Sequence, residues 1–259
     1  MKLEGKSAII TGAGRGLGRA VALAMAREGA LTTIMSRSLD ELNNVGQSIK
    51  ELGKESVIIQ GDVSRPDDVK RLVDETLERF STIDILINNA AVTGPARFME
   101  DADIEAWKET MDINLNGAFL CARNVTPIMA RNGGGKIINI TSGLGQMPFP
   151  RFCAYSVSKA GLIQLTRSLS EELKEMNIQV NAIAPGVMDT SMQDRIRALG
   201  ASVLGEALHN HFMELKGKGE LKEPEEVSSL TIFLASKMAD HLTGHFGSLT
   251  DYSLLGWRP

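Results

Sequence analysis

The chain has 259 residues, 43% of them apolar and 23% charged, and carries a net charge of -4. A chain of this size and balance is neither disordered nor in need of a metal or disulfide to hold its core, and its acidic excess offers no basic field to nucleic acid or an anionic membrane. The two cysteines, Cys121 and Cys153, form no CxxC pair, so no disulfide framework or zinc knuckle is expected, which suits a reducing, cytoplasmic setting.

No signal-peptide core follows Met1, and no run of about 18 apolar residues occurs, so no membrane span is expected. In chain order, Ser7–Thr11 reads as a first strand and 17–29 as a helix. Leu31–Met35, Val57–Gln60 and Ile83–Ile87 are further apolar strands, separated by helices near 39–52 and 66–80. Ser64-Arg65-Pro66-Asp67-Asp68 opens the latter with a capping serine, a proline and acids in the first turn. A long helix is expected over 103–131, then strand Lys136–Thr141, helix 153–176, strand Ile178–Ile183, helix 224–235 and a last strand at Phe246–Leu249. Nearly continuous apolar strands alternating with helices predict an α/β protein. Its sheet is parallel, seven-stranded and doubly wound, flanked by helices on both faces, in a single domain over 1–259. Ligands bind such sheets at the carboxyl ends of the strands, so functional residues should follow the strands directly.

The first strand runs into Thr11-Gly12-Ala13-Gly14-Arg15-Gly16-Leu17-Gly18 and then a helix. GxGxxG does not fit here, because the sixth position from Gly12 is Leu17; TGxxxGxG does, through Thr11, Gly12, Gly16 and Gly18. Glycines let backbone approach a pyrophosphate, and the helix N-terminus adds N–H donors and a positive dipole end. The second strand ends Met35-Ser36-Arg37-Ser38, without the acid that holds ribose hydroxyls in NAD-binding folds. Arg37 and Arg15 suit a 2′-phosphate instead, so NADP(H) is favoured, with NAD(H) as the alternative.

Tyr155 and Lys159 stand four apart in a helical stretch and so share a face. A phenol of pKa about 10 is a poor base, but a nearby ammonium favours its phenolate. A tyrosine so placed can pass a proton to or from a substrate oxygen as hydride moves.

Together these motifs resemble the short-chain dehydrogenase/reductase family in its compact, single-domain, 3-oxoacyl-acyl-carrier-protein-reductase-like form, with a Rossmann-like fold. The resemblance covers about Leu3 to Gly244. It rests on the glycine turn, Asp62-Val63 after the third strand, Asn88-Asn89-Ala90-Ala91 after the fourth, and Asn114. It continues through Ser142 after the fifth strand, Tyr155, Lys159, and Pro185-Gly186-Val187 with Thr190. It implies that Ser142 steadies the substrate oxygen, Tyr155 is the general acid or base, Lys159 lowers its pKa and binds ribose, and Asn114 holds a water leading from Lys159. It also implies cofactor contacts from Gly12, Arg15, Gly16, Leu17, Gly18, Arg37, Asp62, Val63, Asn89, Ala90, Pro185, Gly186, Val187 and Thr190.

Two departures stand out. Ala91 replaces a glycine and is tolerable only where φ is negative. Thr243–Tyr252 lacks the Asp-Gly-Gly of many relatives, which leaves the C-terminal packing open. The segment 187–219 is expected as a lid over the substrate, with loops 92–99 and 143–152 completing the pocket. His209 and His211 form an HxH, but residues i and i+2 do not share a helix face, so no metal site is expected. Arg151 is a surface arginine or a contact for an acidic substrate. Helices 103–131 and 153–176 carry more apolar residues than one sheet face needs; in the family such helices pack against a second subunit, so the resemblance implies a homo-oligomer, a tetramer or dimer. The expected activity is hydride transfer between a nicotinamide dinucleotide and a small carbonyl or alcohol substrate. Two alternatives are an NAD-dependent polyol, sugar or steroid dehydrogenase and a non-catalytic dinucleotide sensor.

Overall fold

In the computed structural model, which describes residues 1–258, the apolar runs become seven strands. These are β1 (Ser7–Thr11), β2 (Leu31–Ser36), β3 (Ser56–Gln60), β4 (Ile85–Asn88), β5 (Gly135–Ile140), β6 (Ile178–Ile183) and β7 (Phe246–Gly247). They form one sheet, parallel throughout, in the order β3-β2-β1-β4-β5-β6-β7. β1 registers Ser7 with Leu31 and Thr11 with Met35 of β2. Every residue of β1 and of β4 is buried, as a parallel sheet covered on both faces requires. The strand order reverses between β1 and β4, which opens a crevice at their carboxyl ends.

The helices are α1 (Gly16–Arg27), α2 (Leu39–Glu51), α3 (Pro66–Phe80), α4 (Ile104–Met111), α5 (Gly117–Arg131), α6 (Cys153–Glu172), α7 (Ser191–Ala198), α8 (Gly200–Leu204), α9 (Glu206–Gly217), α10 (Pro224–Ala235) and α11 (Leu249–Leu254). α1, α2, α10 and α11 cover one face through Val21, Met25, Leu42, Val45, Leu230, Phe233 and Tyr252. α3 and α5 cover the other through Val69, Leu72, Val125 and Met129, joined by Leu169 of α6. Burying such side chains contributes on the order of 1.5–3 kcal/mol each.

Three expectations are corrected. The helix predicted over 103–131 is interrupted by a π-helical turn, Asp112–Asn116, between α4 and α5. The wider turn sits where buried Asn114 is tethered. Its amide donates to Val92 O at 2.9 Å and Ser158 Oγ at 3.0 Å, and its oxygen accepts from Val92 N–H at 2.8 Å. Such turns recur at functional sites. Ser64 does not cap α3: Arg65 holds the N-cap position, and the Ser64 hydroxyl and N–H donate to Asp62 Oδ1. The strand predicted over Phe246–Leu249 ends at Gly247 because Ser248 caps α11, accepting from Asp251 N–H while Asp251 Oδ2 accepts from Ser248 N–H.

That last helix, absent from the sequence reading, settles the C-terminal packing. Tyr252 is fully buried, and its hydroxyl donates to Ala182 O at 2.9 Å or His245 O at 3.2 Å, tying the tail to β6. Among the described residues no helix is long and apolar enough to cross a membrane. Removing only the hydroxyl, in Tyr252→Phe, is expected to cost about 1–2 kcal/mol, because the lost bond is buried. Thermal denaturation should then show a midpoint lower by a few degrees; an unchanged midpoint would mean the bond contributes nothing.

Candidate active site

The cleft follows from how β1 ends. The Thr11 hydroxyl donates to Ile87 O at 3.2 Å and accepts from the N–H groups of Asn89 and Ala90 at 3.0 and 3.2 Å. The Asn89 amide donates to Thr11 O at 2.9 Å and Gly12 O at 3.1 Å. The asparagine read as a cofactor contact thus also pins the glycine turn to β4. Gly12 has φ +63° and approaches Ala90 so closely that a Cβ would lie 2.8 Å from Ala90 Cα. At Gly18 a Cβ would fall 2.2 Å from Gly12 O. The turn therefore needs glycine at both positions, and it delivers the N-terminus of α1 to the cleft with no acid in the first turn. That end, with its free N–H groups and positive dipole, suits a phosphate.

The cleft, about 680 Å³, is lined by every residue of the predicted cofactor set, from Gly12 and Arg37, which follow β1 and β2, to Tyr155 and Lys159 on α6 and Pro185, Gly186, Val187 and Thr190 after β6. This volume falls in the ordinary range for ligand sites. Gly186 has φ +85°, which lets β6 turn sharply into the segment 187–219. Thr190 then sits against the glycine turn, its Cγ2 3.3 Å from where a Cβ on Gly16 would be. Val187 O accepts from Lys222 N–H at 3.0 Å, and Asp189 N–H donates to Lys222 O at 3.0 Å, so this segment is anchored at its start.

Ser142, Tyr155 and Lys159 meet beyond the ends of β4 and β5. Tyr155 lies in the first turn of α6 and Lys159 one turn on, its Nζ 5.6 Å from the phenol ring centre. The Lys159 ammonium donates to Ile140 O at 2.8 Å and is only 2% exposed. Ser142 Oγ accepts from Leu144 N–H at 3.2 Å and lies close enough to the phenol to favour its phenolate. Burial nevertheless dominates: it pushes the Tyr155 phenol up to about 12 and pulls the Lys159 ammonium down to about 7. The sequence reading expected Lys159 to lower the tyrosine; instead the same desolvation disfavours the charged form of both. Asn114 does not line the cleft. It borders a separate cavity of about 10 Å³ shared with Thr11, Asn88 and Gly117.

The residues 6–199 match the family model described as short chain dehydrogenase. The chain is 37% identical over 240 residues to a 3-oxoacyl-(acyl-carrier-protein) reductase of Staphylococcus epidermidis, covering 92% of this chain and 95% of that one. It is 36% identical over 244 residues to its Synechocystis counterpart, covering 93% and 94%. It belongs to the short-chain dehydrogenase/reductase family. Its fold also resembles those of levodione reductase (TM-score 0.88, 28% identity, 98% and 100% covered) and NAD⁺-bound xylitol dehydrogenase (TM-score 0.90, 28% identity, 96% and 99% covered). The family consists of NAD(P)-dependent oxidoreductases acting on carbonyl or hydroxyl groups.

Within this short-chain dehydrogenase/reductase fold, Ala91 is accommodated as anticipated: it is not among the non-glycine residues with positive φ. Arg151, left open as a surface or substrate arginine, has another place. Its guanidinium donates to Val203 O at 2.8 Å and stacks 4.0 Å from the Phe98 ring, outside the cleft lining. Of the HxH pair, His211 lines the cleft beside Phe212, whereas His209 does not. Among the described residues no group of three or more His, Cys, Asp or Glu is placed to hold a metal.

Beside Tyr155 stands a wall of three rings: Phe149, Phe152 and Phe212, with centroids 5.8–6.4 Å apart, packed with Met192 and Ile196. Sequence reading missed Glu41 and Arg195, both of which line the cleft. Glu41 was hidden as an ordinary first-turn acid of α2, and Arg195 lay inside the segment assigned to the substrate. Gly18→Ala is expected to force the turn open, since the new methyl meets backbone. Dinucleotide affinity, followed by quenching of protein fluorescence, should fall at least tenfold; affinity within twofold of wild type would show that the turn yields.

Proposed function

We propose that the protein is an NADP(H)-preferring oxidoreductase that interconverts a small carbonyl compound and its secondary alcohol, with Tyr155 as general acid and base. The observation that carries this reading is the convergence of Ser142, Tyr155 and Lys159 on the end of the cleft opposite Arg37. The cleft suits a dinucleotide: the α1 N-terminus at the two obligatory glycines would hold its phosphates, Lys159 its ribose, and Pro185-Gly186-Val187 with Thr190 its nicotinamide. When bound, the nicotinamide supplies or accepts the hydride.

The remaining chemistry belongs to the chain. Ser142 donates a hydrogen bond to the substrate oxygen and steadies the charge that grows there. Tyr155, protonated at neutral pH because burial holds its phenol near 12, gives its proton to that oxygen during reduction. Lys159, near its midpoint at neutral pH, is the group through which the phenol is recharged. Asn114 positions this pair from behind, through Ser158 one residue before Lys159. The segment 187–219 acts as a lid, bringing Met192, Ile196 and Phe212 over the substrate and excluding water.

The NADP(H) preference rests on Ser36-Arg37-Ser38 at the end of β2, with Arg15 at the same end of the cleft. One observation favours the NAD alternative: Glu41 also lines that end, where it holds Arg15 at 2.7 Å. A homo-oligomer is supported by apolar side chains standing outward on neighbouring helices: Ile104 of α4, Phe119 of α5 and Val157 of α6 are all more than two-fifths exposed. Sedimentation equilibrium should return a multiple of 28.0 kDa; a monomer would rule the assembly out.

Tyr155→Phe should lower kcat by about 10²–10⁴-fold, the usual worth of a positioned acid or base, with dinucleotide affinity retained. In wild type the phenol stays protonated well into alkaline pH. Reduction should therefore hold steady from about pH 8 to about pH 10, while oxidation, which needs the phenolate, climbs over that range. Full turnover in the phenylalanine variant, or oxidation that falls as pH rises, would remove Tyr155 from the mechanism.

A further inference from the structure

The end of the cleft assigned to the 2′-phosphate holds two arginines that are already spoken for. Arg15 Nη1 lies 2.7 Å from Glu41 Oε1. Arg37 Nη1 lies 3.2 Å from Glu109 Oε1 and 3.8 Å from Asp62 Oδ2. Each guanidinium thus faces at least one carboxylate. With Arg15 and Glu41 cancelling and Arg37 set against Asp62, the pair alone leaves no net positive charge for an entering dianion, whose two charges would also be repelled by Glu41.

A third arginine changes that balance. Arg195 lines the same cleft as Arg15, Arg37, Ser36 and Ser38, but it comes from α7 on the far side. Among the described residues it forms no ion pair with a carboxylate. Arg197, two residues on, is buried and bound to Asp194 at 2.7 Å. The start of α7 is fixed against the glycine turn by Thr190, so Arg195, little more than one turn later, is delivered toward the adenosine end rather than the substrate. The group feels its neighbours: burial and the positive charges of Arg15 and Arg37 lower its pKa, with Glu41 opposing them. Of the charged side chains that line this end of the cleft, three are guanidiniums and two, Glu41 and Asp62, are carboxylates, since Glu109 stands outside the lining; such a surplus of cations makes a site for a polyanion.

We propose that Arg195 is the uncompensated cation that selects the 2′-phosphate of the cofactor, so that discrimination between the phosphorylated and unphosphorylated dinucleotide is made partly from the α7 side of the cleft. This rests on the NADP(H) reading above and deepens it. The bond has a second effect. α7 also carries Met192 and Ile196 into the aromatic wall of the substrate end. A phosphate bound by Arg195 therefore holds that wall in place, whereas an unphosphorylated dinucleotide leaves it untethered.

The test uses fragments that lack the nicotinamide, so it does not depend on turnover. Binding of adenosine 2′,5′-bisphosphate and adenosine 5′-monophosphate is measured by calorimetry on the full-length wild type, Arg195→Gln and Arg37→Gln, after confirming unchanged thermal midpoints. Arg195 is exposed and unpaired among the described residues, so its replacement should leave the fold intact. Arg195→Gln is expected to weaken the bisphosphate about tenfold or more, the worth of one charge-assisted bond, and to leave the monophosphate within twofold. In wild type the bisphosphate should also slow chymotrypsin cleavage within 199–213, and Arg195→Gln should abolish that protection.

Equal weakening of both ligands would place Arg195 on the 5′-phosphate and overturn the proposal. Wild-type preference for the bisphosphate that survives in Arg195→Gln but is lost in Arg37→Gln would overturn this proposal alone. A wild type that binds the two ligands equally would overturn the NADP(H) reading itself.

Discussion

The site depends on one close approach, between Gly12 after β1 and Ala90 after β4. The two strands are neighbours whose chains then leave in opposite directions, which is why the crevice lies between them. Keeping it open at a fixed width requires the turn to touch β4 without a side chain in between, and Gly12 meets that demand. The Thr11 hydroxyl and Asn89 amide lock the contact with five hydrogen bonds, none of which a ligand has to make. The glycine turn is therefore held in shape by the chain itself, so that the phosphate binding proposed for it would carry little ordering cost.

Burial is the second organising influence, and it acts on two groups with opposite formal sign. The same dry pocket raises the phenol and lowers the ammonium, because both shifts disfavour charge. The resting state is then a neutral tyrosine beside a lysine that is half-neutral near pH 7. Such a pair favours donation of a proton over its removal. On the function proposed above, that resting state suits proton donation during reduction.

Much of this was legible in the residues, and the parts that were not share a cause. Strands read well because β1 and β4 are apolar almost without interruption, and the glycine turn, Asp62-Val63, Asn89-Ala90, Ser142 and Pro185-Gly186 each follow a strand end as the fold class requires. The glycine turn could be placed from spacing alone, since only backbone geometry was at issue. Periodicity could not show the π-helical turn at Asp112–Asn116, because apolar spacing is nearly continuous across it; only the tether of Asn114 to Val92 reveals it. The α11 tail was read as strand because Phe246–Leu249 has strand composition, and the capping by Ser248 and Asp251 was overlooked. Arg195 escaped for a different reason. Sequence order assigned its segment to the substrate, while a helix about two turns long can face two chemical partners at once. The sign of the tyrosine shift likewise needed depth of burial, which spacing to Lys159 does not carry.

The π-helical turn has a consequence for the chain's tolerance of change. A π turn holds one residue more than the α turn it replaces, so α4 and α5 are out of phase by one residue about their common path. That offset aims Asn114 inward at Val92 and Ser158 while leaving Gly117 flush against Val63. Deleting any one residue of Asp112–Asn116 would heal the helix into a regular α-helix and swing everything on one side of it by about 100°, the angle per residue of an α-helix. At this point of the molecule, residue count rather than residue identity is what holds the machinery in register.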